Sequence, residues 1–379
     1  MALKAVHVSE VPNLINQVPE APAFGPDIST PSASKIGGGE TLKEKEFKVI
    51  GHRGCGMNTL QMQVQSELAN HSHRKVVKEN SILSFNAASK FNIDFIEFDV
   101  QVAKDDCPVI FHDNFILTQE EGVIVEKRVT ELTLKEFLGY GVQREPGNTG
   151  KAIYRKTKNG KVMEWRVESD DSLCTLQEVF ERVHPSLGFN IELKFDDQIV
   201  YTDNELTHTI GMIMQVVNDY ARDRPIIFSS FQPDAARLVF FLTNGGNVIY
   251  RDTRRNSLDE AIKLCLENGL QGIVSEVRAI FRNPEAITRM KESGLSLLTY
   301  GQLNNVPEAA YMQYLMGVEG VIVDLLQEIR EAVSEFMKPV SKEGEDDKLY
   351  DQDQHQKKLH FSQRELSFLL KLIPELTRG

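Results

Sequence analysis

The sequence has few features of membrane, disulfide-rich or nucleic-acid-binding proteins. None of its apolar runs approaches the length of about 20 residues that spans a bilayer, and its start lacks the basic-then-apolar order of a secretory signal. Its four cysteines are scattered singly, without the paired spacing of a metal site, as is typical of a reducing compartment. The net charge of −12, with no basic stripe, argues against nucleic acid as a partner. These absences indicate a soluble globular protein.

The two ends of the chain differ in composition from its middle. Residues 1–46 contain five prolines and the glycine run Gly37–Gly39 and show no sustained hydrophobic period, which predicts a flexible leader. This leader has no arginine and several acids, so its composition does not support a plastid transit peptide and favours the cytoplasm. Residues 339–379 form a charged tail that ends in "FSQRELSFLLKLIPEL", which predicts a short amphipathic helix.

Between the ends, strand-like apolar runs alternate with helical patterns. This alternation predicts a parallel sheet with helices outside, and the number of units favours a closed (β/α)8 TIM-type barrel over residues 47–338. No Gly-x-Gly-x-x-Gly follows the first strand, so a dinucleotide-binding fold lacks its fingerprint. Nine runs compete for eight strand positions: "FKVIGH", "FIEFDV", "PVIFHD", "GFNIEL", "PIIFSS", "VFFLTN", "GIVSE", "LSLLTY" and "GVIVD".

Charged side chains stand on or directly after four of these predicted strands. In barrels of this kind the reacting groups collect where strands end, at the carboxyl face. A single carboxylate or histidine at a strand end is most often a cap or an ordinary polar residue. Four such clusters are harder to dismiss, and they contain His52, Arg53, Glu97, Asp99, His112, Glu192 and Lys194.

Three of these residues have the chemistry of metal ligands. Glu97 and Asp99 are two apart on one strand, so their side chains share a face and repel each other. Together with Glu192 they offer three oxygen ligands for a hard divalent cation, with Mg²⁺ preferred and Ca²⁺ as the alternative. Such a cation would supply the positive charge that the buried carboxylates lack.

The remaining residues fit phosphate chemistry. His52 and His112 could stand on either side of a substrate and exchange protons with it. Arg53 and Lys194 could bind a phosphate, the first through its planar guanidinium and the second as a point charge. A cation, two histidines and two basic groups around one cavity favour phosphoryl or phosphodiester chemistry.

The motifs "GHRG", "ENSILSF", "FIEFDVQVAKDDCPVIFHD" and "FNIELK", in this order, resemble those of the glycerophosphodiester phosphodiesterases. The similarity extends from Val49 to about Asp324 and is greatest to the plant branch. It implies a phosphodiesterase-type barrel that hydrolyses a glycerophosphodiester, such as glycerophosphocholine, to glycerol 3-phosphate and an alcohol. It also implies that Glu79 lies near the metal and the substrate. Residues 114–174 resemble the family's small insertion at the barrel mouth, although a plain surface excursion would fit as well.

The resemblance carries over the same roles that the residue types indicate. His52 and His112 would be the acid/base pair, Arg53 and Lys194 the phosphate contacts, and the acidic trio the metal ligands. Plant relatives include plastid proteins, so the resemblance favours the plastid where the leader composition does not. The head group, the cation and the oligomeric state stay open.

One connection is shorter than a barrel requires. The run "PIIFSSF" ends near Phe231 and the predicted strand "FFLT" begins at Phe240, which leaves only Gln232–Val239 between them. A parallel crossover with its helix needs about 10–12 residues or more. The barrel could therefore be strained, which leaves open an alternative to a glycerophosphodiester hydrolase, and a third reading is independent of this connection. The chain could be a catalytically impaired binding protein, or a phosphodiesterase of the lysophospholipase D type, for which only the tail helix argues.

Overall fold

The computed structural model describes residues 2–5, 47–58, 76–156, 160–244 and 257–337. The predicted tail helix and most of the predicted leader lie outside the described residues. Within the described ranges, no helix is long and apolar enough to cross a membrane.

The central feature is a ring of eight strands, seven of which run parallel. The ring strands are Ala2–Ala5 (β1), Lys48–Gly51 (β2), Phe95–Val102 (β3), Gly188–Leu193 (β9), Ile226–Ser230 (β10), Gly272–Glu276 (β11), Ser296–Tyr300 (β12) and Gly320–Val323 (β13). Around the ring the order is β2, β3, β9, β10, β1, β11, β12 and β13, and β13 pairs with β2 to close it. The predicted (β/α)8-type barrel is confirmed, although one position holds an antiparallel strand.

The parallel strands are covered on both faces, and the outward-facing residues of the longest one are apolar. All eight residues of β3 are buried. Ile96, Phe98 and Val100 join the main core between the sheet and the outer helices, while Phe95 belongs to a smaller cluster with residues of the other barrel strands. Because side chains alternate along a strand, Glu97 and Asp99 share the inner face with Phe95. This alternation directs both carboxylates into the barrel.

Ten helices are seen in the described residues, and most cover the outside of the ring. The helices are Ile82–Ala88 (α1), Leu134–Leu138 (α2), Leu176–Arg182 (α3), Asp203–Tyr220 (α4), Pro233–Asn244 (α5), Leu258–Asn268 (α6), Val277–Arg282 (α7), Glu285–Glu292 (α8), Pro307–Met316 (α9) and Leu326–Phe336 (α10). At the start of α2, α3 and α4 a threonine side chain accepts from the backbone N–H of the third helical residue, a glutamate, whose carboxylate accepts from the backbone N–H of the threonine.

A second, smaller sheet lies in the segment predicted as an insertion. Its four antiparallel strands are Phe115–Glu120 (β5), Val123–Arg128 (β6), Tyr154–Lys156 (β7) and Val162–Glu164 (β8), in the order β6, β5, β7, β8. Ile116, Phe137 and Trp165 belong to a separate hydrophobic cluster under it. The run "PVIFHD" does not supply a parallel barrel strand, because Pro108–Ile110 (β4) pairs antiparallel with the end of β3. The smaller sheet therefore starts a few residues after β4, within the segment predicted as an insertion.

The predicted strand "VFFLTN" is wrong, because these residues form the second half of helix α5. The physical reason that these residues are helical is the shortness of the connection that precedes them. After β10, the residues Gln232–Val239 are too few to form a crossover helix and return as a strand. Pro233 stands at the first helical position, where a proline is tolerated, and Ala235, Ala236 and Val239 are buried in the main core. A short apolar run fits a helix or a strand equally well, so the pattern alone misassigned it.

The ring position next to β10 is filled by residues of the predicted leader. Ala2–Ala5 pairs antiparallel with both neighbours, with Leu3 opposite Ser230 on β10 and Ile273 on β11. These four residues are thus part of the ring, while the rest of the predicted leader up to residue 46 lies outside the described residues. The edges of β10 and β11 would otherwise leave backbone N–H and C=O groups unpaired, and a short extended segment satisfies them.

Candidate active site

Three carboxylates meet on the inner face of β3 and β9. Asp99 stands directly opposite Glu192 in the parallel register of these strands, and Glu97 is one inward position before Asp99. One oxygen from each of the three lies within 4.8 Å of the others. Glu97 and Asp99 are buried, and Glu192 is partly exposed. The structure thus brings together all three predicted metal ligands.

The electrostatics of this cluster favour a bound cation. Burial and the neighbouring charge of Asp99 raise the pKa of Glu97 to about 8. Burial would also raise the pKa of Asp99, but the positive charges of His112, Lys194 and Arg53 outweigh it and lower that pKa. Glu97 Oε1 is buried without a hydrogen-bond partner, while its Oε2 accepts from the backbone N–H of Arg53 at 3.0 Å. An orphaned buried oxygen in a trio of carboxylates is compatible with a divalent metal site.

His52 follows β2 and lies next to the acidic cluster. Its Nδ1 is 2.7 Å from Asp324 Oδ1, and its Nε2 is 3.9 Å from Glu97 Oε2. Asp324 follows β13 and also accepts from the backbone N–H of Met57 at 2.8 Å. Burial lowers the pKa of His52, but the charge of Asp324 raises it, and the net result is a pKa of about 9. Asp324 therefore fixes the ring of His52 and favours its protonated form.

His112 follows β4 and is near enough to Asp99 for its charge to lower the pKa of that carboxyl. Its Nδ1 is 2.7 Å from Asp113 Oδ1. Burial would raise the pKa of Asp113, but the hydrogen bond from His112 and the charge of Arg155 lower it. Each of the two predicted histidines thus has its own carboxylate partner, as expected for imidazoles whose tautomer and orientation are held by a second group.

Arg53 and Glu79 form an ion pair beneath the cluster. Arg53 Nη1 donates to Glu79 Oε1 at 2.8 Å, and its Nε lies 3.5 Å from Asp99 Oδ2. Burial would raise the pKa of Glu79, but the charges of Arg155 and Arg53 hold it well below its ordinary value. The loop that carries Arg53 turns tightly at Gly54, where a Cβ would lie 2.5 Å from Ser84 Oγ. The geometry gives Glu79 two arginine partners.

Lys194 lies beside the carboxylates and reaches a cavity. Its Nζ is 2.9 Å from Glu192 Oε1 and 3.7 Å from Asp99 Oδ1. The cavity has a volume of about 500 Å³, and its wall includes His112, Glu192 and Lys194 together with Arg155 of the insertion. Of the residues that the sequence singled out, these three border the cavity, while His52, Arg53, Glu79, Glu97 and Asp99 are not part of its wall.

Three residues of the site were missed by sequence reasoning. Asp324 ends the strand "GVIVD", so the rule that selected the other strand-end residues would have found it. Asn80, the neighbour of Glu79 in the sequence, donates from Nδ2 to Asp99 Oδ2 at 2.8 Å. Arg155 gave no signal, because its contact with the site depends on how the insertion folds.

Comparisons with known proteins place the chain in a family. The model of the glycerophosphoryl diester phosphodiesterase family matches residues 52–328. The chain is 56% identical over 386 residues to the chloroplastic glycerophosphodiester phosphodiesterase GDPD1 of Arabidopsis thaliana, and the match covers 99% of each chain. It is 30% identical over 358 residues to a glycerophosphocholine phosphodiesterase of Eremothecium gossypii, which covers 76% of this chain and 26% of that protein.

The fold has a solved counterpart. An Oleispira antarctica phosphodiesterase in complex with the product sn-glycerol-3-phosphate aligns with 76% of this chain and 96% of its own, with a TM-score of 0.51 and 19% identity. This likeness supports the barrel. The family model and the near full-length similarity to the Arabidopsis protein show that the chain belongs to the glycerophosphodiester phosphodiesterase family.

Proposed function

We propose that this protein hydrolyses glycerophosphodiesters, such as glycerophosphocholine, to sn-glycerol 3-phosphate and an alcohol with the help of a divalent cation. The observation that carries the proposal is the acidic trio flanked by His52 and His112, each histidine held by its own carboxylate. Family membership supports the same chemistry, and the glycerophosphocholine phosphodiesterase of Eremothecium gossypii supports the head group.

The residues that would hold the cation are Glu97, Asp99 and Glu192. A hard ion bound by three carboxylate oxygens would offset their repulsion and stabilise negative charge on the phosphate oxygens of the substrate. An all-oxygen ligand set suits Mg²⁺, our first candidate, and also Ca²⁺, our second.

The two histidines divide the proton transfers. In the first step one imidazole accepts the proton of the substrate's glycerol hydroxyl as its oxygen attacks phosphorus, and the other donates a proton to the departing alcohol oxygen. The product of that step is a cyclic glycerol phosphodiester. In the second step water opens the ring, and the proton transfers run in the opposite sense. Asp324 and Asp113 keep His52 and His112 oriented through both steps.

The basic residues hold the phosphate. Lys194 borders the cavity, where its positive charge can bind a phosphate oxygen. Arg53 lies deeper, and its Nε makes no hydrogen bond although it is buried, which leaves this N–H as a donor. Glu79 acts through Arg53, whose guanidinium it anchors.

Product analysis tests the activity. Purified protein is incubated with glycerophosphocholine and, separately, glycerophosphoethanolamine in the presence of Mg²⁺, and the released amino alcohol and sn-glycerol 3-phosphate are quantified by coupled enzymes. We expect equimolar release of both products. Cation-dependent binding of glycerophosphocholine without product would instead support the impaired binding protein, and release of choline from lysophosphatidylcholine alone would support the lysophospholipase D type.

The compartment is also a proposal. The Arabidopsis relative is named chloroplastic, which supports the plastid over the cytoplasm. Expression of the full chain with a carboxyl-terminal fluorescent protein in leaf cells would test this, and diffuse fluorescence outside plastids would contradict it.

A further inference from the structure

We propose that Arg155, on strand β7 of the insertion, is a positioning residue for the reaction. Its guanidinium holds two carboxylates, Glu79 and Asp113, that in turn hold Arg53 and His112. The insertion would then be a working part of the active site and not only a cover. This inference rests on the proposed hydrolase function.

Arg155 bridges two carboxylates that come from different loops of the barrel. Its Nη2 donates to Glu79 Oε1 at 2.8 Å, and its Nε forms an ion pair, without a hydrogen bond, with Asp113 Oδ2 at 3.3 Å. The Glu79 side chain is completely buried, so a lost partner there could not be replaced by bulk water. A planar guanidinium can serve both carboxylates at once, as a single ammonium group cannot.

Each of these carboxylates contacts a residue assigned to the reaction. The oxygen of Glu79 that accepts from Arg155 also accepts from Arg53 Nη1 at 2.8 Å. Asp113 contacts His112 Nδ1 through its other oxygen at 2.7 Å. Arg155 therefore connects the phosphate-binding arginine to one of the two proton-transferring histidines through the two carboxylates that it contacts.

The insertion fixes the orientation of Arg155 by stacking. The guanidinium carbon lies 3.4 Å from the centre of the Trp165 ring, and Trp165 is buried in the insertion's own hydrophobic cluster. Trp165 Nε1 donates to Asn58 Oδ1 at 3.0 Å, and the backbone N–H of Asn58 donates to Glu79 Oε2 at 2.6 Å. Trp165 is thus linked to Glu79 in two ways, through Arg155 and through Asn58, and the contacts form a closed ring.

A second arginine of the insertion provides a matched control. Arg144 also bridges the insertion to the barrel, with Nη2 donating to Glu178 Oε2 at 2.7 Å and to the carbonyl of Leu173 at 3.1 Å. Neither partner borders the cavity or contacts a residue of the site. Loss of Arg144 removes a comparable docking contact without touching the catalytic groups.

The experiment compares R155A, R155K and R144A with the parent in steady-state hydrolysis of glycerophosphocholine, and measures each protein's melting temperature. A misplaced catalytic group can cost about 100-fold in rate, so we expect R155A to lower kcat by that order while KM changes much less. Guanidinium chloride at concentrations far below those that unfold the protein should restore part of the lost kcat in R155A and none in R144A. R155K, which keeps the charge but not the fork, should fall between R155A and the parent.

Each result decides the matter. A kcat of R155A within about threefold of the parent, or a loss equal to that of R144A without guanidinium rescue, would overturn the positioning role and leave the proposed function intact. If R155A does not fold, the kcat of R155K and its rescue by guanidinium give the same decision. An inactive parent would overturn the proposed function, and the role of Arg155 with it.

Discussion

Two arcs of the barrel are built differently. The strands β13, β2, β3 and β9 are neighbours, run parallel and carry or precede every residue of the acidic cluster together with His52, Lys194 and Asp324. On the opposite arc, β10 and β11 are joined by β1, a four-residue antiparallel strand from the start of the chain. We call these the site arc and the closing arc. The difference suggests that the chemistry depends on the regular pairing of one arc, while the other contributes mainly to stability.

Pairing within the site arc is extensive where the ligands stand. Strands β3 and β9 share six consecutive register pairs, and the pair Asp99–Glu192 lies within this run. On the closing arc, β1 has three register pairs with each neighbour. The short connection that the sequence showed therefore affects the arc that carries no predicted catalytic residue. Activity should survive changes there that lower the melting temperature.

The largest effect is expected from the histidines of the site. Removing a general acid or base typically costs about 10²–10⁴-fold in rate, so H52A and H112A should each lower kcat by that range with little change in melting temperature. H208A is the control, since the exposed His208 pairs with Asp106 on the surface, at 2.8 Å. A kcat near that of the parent in H112A would contradict the assignment of His112.

An intermediate effect is expected from the closing arc. Deleting residues 2–5 removes the backbone hydrogen bonds of β1, each worth about 0.5–1.5 kcal/mol, so the free energy of unfolding should fall by roughly 3 kcal/mol. Below the new melting temperature, kcat should stay within about threefold of the parent. Chemical denaturation and steady-state kinetics on the same samples measure both quantities.

A second variant separates strand loss from simple truncation. About ten residues inserted after Val239 would make the crossover long enough for an eighth parallel strand. In that lengthened protein, deletion of residues 2–5 should cost little stability. An equal loss in both backgrounds would mean that β1 does not substitute for a missing barrel strand.

A plastid precursor that loses its leader would lose β1 too. The same deletion therefore also shows whether such processing is compatible with a stable barrel.

The sequence predicted the site arc better than the closing arc for physical reasons. Strand β3 alternates apolar and acidic residues, so both the strand and the direction of Glu97 and Asp99 follow from its pattern. The run "VFFLTN" has no such alternation, and the length of the preceding connection decided its conformation. Ala2–Ala5 pairs with residues more than two hundred positions away, so the local sequence carries no signal of this strand. Arg155 also meets Glu79 and Asp113 only through the tertiary fold, so its role has no local signal either.

A smaller, pH-dependent effect should appear in the acidic cluster. The pKa of Glu97 is raised from 4.5 to about 8, so the folded protein without cation binds this proton more tightly than the unfolded chain does. Its contribution to stability is present at low pH and is lost as pH rises from about 4.5 to about 8. A cation competes with that proton, so the rise in melting temperature caused by Mg²⁺ should increase from pH 6 to pH 8.5.

That increase should be confined to proteins with an intact cluster. E97Q cannot lose a proton at this position, so its Mg²⁺-induced shift in melting temperature should be small and nearly independent of pH. Differential scanning fluorimetry across the pH series measures both proteins side by side. A parental shift that is flat or falls with pH would contradict the raised pKa of Glu97.

The most direct test of the cation site in the site arc is the dependence of turnover on a divalent cation. Hydrolysis of glycerophosphocholine is measured for the parent and for Asp99→Asn in chelator and across a Mg²⁺ titration, with circular dichroism to verify the fold of both. We predict no turnover by the parent in chelator, saturable recovery with Mg²⁺, and no recovery by Asp99→Asn at any concentration. Full turnover by the parent in chelator, or normal Mg²⁺ recovery by Asp99→Asn, would contradict a cation site formed by Glu97, Asp99 and Glu192.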